Sequence, residues 1–106
     1  MKIKVEYKKT EQLVPYAMNA RTHSDKQVTQ IAASIKEFGF VNPVLIRADL
    51  TIIAGHGRVL AAQQLKLKDI PTIVLDHLSE RQARALVLAD NKIAQNSGWD
   101  FEKLSN

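Results

Sequence analysis

The 106-residue chain contains no cysteine. That absence removes disulfides, thiolate metal sites and all thiol chemistry, and it fits a reducing compartment. No apolar run approaches the roughly 20 residues that cross a bilayer, and no apolar signal core stands near the start. The expected location is the cytoplasm, with no membrane partner. Internal repeats and low-complexity stretches are also lacking. The three histidines, His23, His56 and His77, are too far apart for a ligand spacing such as His-x₃-His, so they form no metal site on their own.

What is present is ordinary globular material. Hydrophobic residues make up 45% and charged residues 25%, enough for one modest core at this length. Fifteen Lys and Arg against eleven Asp and Glu give a net charge of +4, which is compatible with a polyanionic partner without identifying one. The basic residues are not gathered on one recognition helix, and no helix-turn-helix pattern is evident. Any DNA contact is therefore expected to be non-specific and made through a parent protein.

Residues 2–8 alternate, with Ile3, Val5 and Tyr7 on one side and Lys2, Lys4, Glu6 and Lys8 on the other, the period of a strand with its apolar face buried. Thr10 to Val14 read as one helical turn stopped by Pro15. Residues 15–23 have no period and form a polar loop carrying Asn19, Arg21, Thr22 and His23, either an ordinary connector or one wall of a site. Ser24-Asp25-Lys26-Gln27 is a capping box, and Val28, Ile31, Ala32, Ile35 and Phe38 follow at helical spacing as a core face. Gly39 supplies the stop. Two β-branched runs, 44–48 and 51–54, lie close enough for an antiparallel hairpin. A further strand covers 70–75, with Pro71 expected at its start or at a sheet edge. A second capping box, Ser79-Glu80-Arg81-Gln82, opens a helix to about residue 96.

The chain is organised around Thr51-Ile52-Ile53-Ala54-Gly55-His56-Gly57-Arg58, followed by a helical run over 59–67. A strand enters a Gly-x-Gly turn that opens onto a helix. Both glycines can take positive φ, and the helix start offers N–H groups and the positive end of its dipole to an anion. Arg58 adds a planar fork suited to phosphate or carboxylate. In the last helix Ala83, Leu86, Val87, Ile93 and Ala94 share one face, with Asp90 in the middle of it and Asn91 at its border. A carboxylate among apolar neighbours needs a cation or several donors. Two readings remain open: a structural ion pair of Asp90 with Arg58, or Asp90 and Asn91 as oxygen ligands of Mg²⁺ beside a phosphate held by Arg58.

These segments, in this order, resemble the ParB N-terminal domain, whose fold is shared with sulfiredoxin. The likeness runs over nearly the whole chain. Pro15-x-x-x-Asn19-Ala20-Arg21 is similar to the family's Pro-x-x-x-Asn-Pro-Arg loop. Gly55-His56-Gly57-Arg58 stands where ParB has Gly-Glu-Arg-Arg, and Asp90-Asn91 where it has Glu-Asn. The resemblance implies an α+β fold, a small mixed sheet with three packed helices in a single domain over 1–98. Residues 99–106 are read as the start of a further element or a linker.

In ParB proteins these segments bind CTP with Mg²⁺, and the nucleotide closes a clamp on DNA. The resemblance therefore implies that Asn19, Arg21, Gly55, His56, Gly57 and Arg58 bind CTP or another nucleoside triphosphate. Asp90 and Asn91 would hold Mg²⁺, and DNA would be a partner. His56, Gly57 and Leu60 replace a Glu and two Arg of the ParB motif, which leaves fewer cations for a triphosphate. Sulfiredoxin chemistry is excluded, since it needs a cysteine. The Gly-His-Gly-Arg variant looks most like the ParB-like domains at the N-terminus of bacterial and phage DNA-modification methyltransferases. Two alternatives stand beside this binding module. One is a nucleotide hydrolase or nuclease with His56 and Asp90 as catalytic candidates. The other is a non-catalytic homodimerisation domain with a vestigial site.

Overall fold

A computed structural model describes residues 3–16 and 23–89. Their elements are β1 (Val5–Lys9), a 3-10 turn (Thr10–Gln12), α1 (Asp25–Phe38), β2 (Val44–Ile46), β3 (Ile52–Ala54), α2 (His56–Gln64) and β4 (Asp69–Val74). A third helix, α3, occupies residues 80–89. The expected α+β class with a small mixed sheet and three helices is what the chain adopts.

The four strands lie in the order β1-β4-β2-β3. β1 runs antiparallel to β4, β4 parallel to β2, and β2 antiparallel to β3 as the expected hairpin. β4 is thus an interior strand, which a proline ordinarily disfavours. The parallel ladder begins only at Val44↔Thr72, so Pro71 precedes it and is bordered on one side by Tyr7 alone. That local edge is what admits the missing N–H.

Strand alternation sends side chains to two cores. Val44, Ile46, Ile52 and Ile70 join Leu13 and, from α2, Val59 and Ala62. Leu45, on the opposite side of β2, packs with Ile53, Tyr16 and the α3 residues Ala83 and Val87. A one-residue register shift between Leu45 and Ile46 places Ile53 as a bulge, so adjacent isoleucines of β3 serve different cores. α2 and α3 therefore grip opposite faces of the sheet.

Both capping boxes form. Ser24 Oγ accepts from the N–H of Gln27 at 3.2 Å while Gln27 Oε1 accepts from Ser24 N–H. Ser79 and Gln82 exchange the same pair at 3.1 and 2.9 Å. Arg47 clamps the start of α3 to the hairpin through Glu80, which keeps its guanidinium pKa raised.

Two expectations about burial fail. Ile3, Val5 and Tyr7 are 65%, 47% and 68% exposed, whereas Glu6 and Lys8 are the half-buried side of β1. The period was right and the face was wrong: α1 and α2 lie on the side of Thr72, which pairs with Glu6 and donates its hydroxyl to Glu6 O at 2.6 Å. Phe38, assigned to the core face of α1, is 71% exposed, because the helix ends there and Phe40 packs on the core instead.

Among the described residues, two that are not glycine have left-handed backbones. Leu50 (φ 73°) closes the hairpin turn, its N–H donating to Arg47 O, and its side chain packs on the first core. Lys66 (φ 59°) ends α2 in a Schellman arrangement: Leu67 N–H reaches Ala62 O at 3.0 Å and Lys66 N–H reaches Gln63 O at 3.1 Å. Lys66 is exposed, so nothing in packing offsets its strain. Lys66→Gly is expected to raise unfolding free energy by about 0.5–1 kcal/mol in urea titrations, since glycine removes the Cβ clash that disfavours this conformation.

Asp49 caps the same hairpin by accepting from Thr51 N–H at 3.0 Å. Hydrogen bonds from the Thr51 side chain and backbone hold its carboxyl below the usual 3.8. A depressed carboxylate contributes stability above its ordinary pKa and loses it as pH falls through the lowered value. Asp49→Ala should accordingly show a small stability deficit at neutral pH that closes in acid below that range, measured by thermal unfolding at a series of pH values. Exposure keeps the effect small.

Candidate anion-binding site

The site begins where β3 ends. Ala54 is buried in the sheet and the chain must enter α2 at once, so Gly55 takes φ 102° and ψ 23° as the residue before the helix. A side chain there would be strained by the backbone angle alone. It would also meet Arg58 Nη1 at 3.1 Å and Val44 Cγ2 at 3.3 Å from its Cβ. The Arg58 guanidinium is therefore folded back over the bare face of Gly55. The sequence expectation of a glycine bend beside an arginine is met in three dimensions.

Gly57 behaves differently from expectation. The helix starts at His56, three residues earlier than the apolar run marks it, so Gly57 lies inside the first turn and has no positive φ. Its role is close approach. A Cβ at Gly57 would sit 2.9 Å from Ile31 Cδ1 of α1 and 3.0 Å from His23 Cε1. The missing side chain lets α1 and the residue before its cap close down on the start of α2.

His56 is half-buried and its Nε2 accepts the backbone N–H of Tyr16 at 3.3 Å. An imidazole nitrogen that accepts carries no proton at that atom. Thus Tyr16 and His23 both meet the first turn of α2, Tyr16 at His56 and His23 at Gly57. Asn19 and Arg21 lie outside the described residues, as do Asp90 and Asn91. Because α2 and α3 occupy opposite faces, sharing a sheet does not by itself bring Arg58 to Asp90. Among the described residues, no three His, Asp or Glu side chains converge as a metal site.

The donor set fits an anion with several oxygens. The first N–H groups of any helix lack intrahelical acceptors, the dipole there is positive, and Arg58 supplies parallel donors at the same spot. Tyr16 was not singled out from sequence. Its backbone contact with His56, and its place in the second core, depend on residues 40 apart and leave no local signal.

The ParB N-terminal domain family matches residues 2–92. This chain belongs to that family. It is 54% identical over 81 residues to the ParB-like nuclease domain-containing protein YnaK of Escherichia coli, covering 76% of this chain and 93% of YnaK. Among solved structures it superposes on the C-terminally truncated chromosome-partitioning protein ParB of Caulobacter crescentus complexed with CTP-gamma-S. That match has a TM-score of 0.74 and 26% identity, and it covers 83% of this chain but 52% of the other. Sulfiredoxin of Arabidopsis thaliana matches with a TM-score of 0.65 at 18% identity, over 79% of this chain and 97% of that one, a likeness of fold. The ParB/sulfiredoxin architecture is thereby established.

Gly55→Ala is expected to destabilise the domain by about 1–3 kcal/mol in chemical unfolding, since alanine pays for a left-handed backbone and crowds Val44 as well. A change smaller than about 0.5 kcal/mol, the usual scatter of surface substitutions, would remove the strain argument.

Proposed function

We propose that this domain binds a nucleoside triphosphate, CTP being the first choice, with its phosphates at the start of α2. The observation that carries the reading is the Arg58 guanidinium lying over a left-handed Gly55 at a helix N-terminus. The Caulobacter relative's complex with CTP-gamma-S supports the choice of nucleotide. In this reading Arg58 and the backbone N–H groups of residues 56–58 hold phosphate oxygens. Asn19 and Arg21 contribute further donors to the ligand. Asp90 and Asn91 would supply oxygens to Mg²⁺, which would neutralise and orient the phosphates.

The domain then serves a DNA-acting protein, as the partitioning role in the Caulobacter protein's name supports. The Gly-His-Gly-Arg variant favours a DNA-modification methyltransferase as the parent, and that catalytic part would lie in other sequence. The name of YnaK raises a nuclease instead. Binding is preferred because His56 Nε2 already accepts the Tyr16 N–H and is not aimed at a substrate proton.

Isothermal titration of the wild type with CTP and with ATP, each with Mg²⁺, tests this reading. Binding is expected for the wild type, and Arg58→Ala should weaken it roughly 10- to 100-fold, the loss of a charge-assisted hydrogen-bonding group. Circular dichroism verifies that the variant is folded. No heat with any nucleotide in the wild type would sink the pocket. Phosphate release or DNA nicking abolished by both His56→Ala and Asp90→Ala would favour the enzyme.

A further inference from the structure

β1 pairs only with β4 among the described strands, so its other side is an edge of the described sheet. Pro71 determines which backbone groups that edge presents. In an antiparallel ladder, alternate residue pairs exchange two N–H···O bonds, and proline cannot donate. Tyr7↔Pro71 is therefore a non-exchanging pair, and by alternation so are Val5↔Ile73 and Lys9↔Asp69. The N–H and C=O groups of Val5, Tyr7 and Lys9 consequently point away from β4, toward the open edge. Their side chains stand on the exposed face described above, with Ile3 beside them, while α3 packs on Leu45 and Ile53.

The edge carries a charge pattern as well. Lys4, Glu6 and Lys8 alternate with Ile3, Val5 and Tyr7. Lysines on an edge normally deter a foreign strand. Here the central glutamate makes the strand complementary to itself when two copies run antiparallel.

We infer that β1 is a dimerisation edge, on which a second copy of this chain pairs its own β1 antiparallel about Val5. In that register Val5 faces Val5, Ile3 faces Tyr7 twice, and Lys4 faces Glu6 twice on the opposite side. Apolar residues meet apolar ones, opposite charges meet, and the outward N–H and C=O groups exchange bonds across the two-fold axis. Two four-stranded sheets become one continuous sheet. A register centred on Glu6 sets Glu6 against Glu6 and Lys4 against Lys8 and is disfavoured. The contact uses neither Gly55 nor Arg58, so it stands apart from the nucleotide reading.

Sedimentation velocity on the 106-residue chain without nucleotide, over concentrations up to about 1 mM, reads the outcome. The wild type should dimerise with rising concentration. Glu6→Lys alone and Lys4→Glu alone each turn both charged pairs repulsive and should weaken dimerisation about tenfold. Mixing these two variants restores both pairs and should recover the dimer as a heterodimer, a result unfolding cannot mimic. A wild type that stays monomeric throughout, a single variant that dimerises as well as wild type, or a mixture with no recovery overturns the pairing.

Discussion

The contact between the first turn of α2 and α1 is the constraint on which the rest of this domain hangs. Gly57 has no side chain, so Ile31 and His23 approach to a distance at which a Cβ would collide. Further along the same helix, Ala61 and Ala62 are fully buried. Small residues on both sides of α2 thus hold it between α1 and the sheet, and its direction is set by packing. Once that direction is set, the residue leaving β3 must turn within one step, and Gly55 with its left-handed backbone makes the turn. The glycine bend is therefore a consequence of core packing. Arg58 reaches the bend because the bend and the helix axis are fixed together.

The same arrangement draws in two residues far from α2 in sequence: Tyr16 donates to His56 and His23 rests on Gly57. In this family member His56 and Gly57 stand where ParB has charged residues, and the structure gives both a mechanical task. One accepts a backbone N–H; the other makes room.

Much of the fold was legible because it is encoded locally. Ser24 with Gln27 and Ser79 with Gln82 announce helix starts through hydrogen bonds that span only three residues. The hairpin of β2 and β3 follows from two β-branched runs separated by a short turn. Less legible were features that need a partner from elsewhere. The alternation of β1 gave a strand but not which face is covered, and Phe38 carried the helical period past the point where the core ends. Gly57 looked like a turn glycine because a short motif does not reveal a neighbouring helix. Pro71 pointed to a strand start or an edge, and the chain satisfies it inside the sheet by starting the parallel ladder one residue later.

Composition and short-range chemistry determined the class of molecule by themselves. They excluded thiol chemistry, marked the capped helices and the hairpin, and put a glycine next to an arginine at a helix start, all through interactions within a few residues. Tertiary structure alone decided the sheet order, the face of β1 left to solvent, and the meeting of Tyr16, His23, Ile31 and Val44 around residues 55–58. The physical reason is that burial and close approach are properties of two surfaces at once. A period names a surface, and only the folded chain supplies the second one.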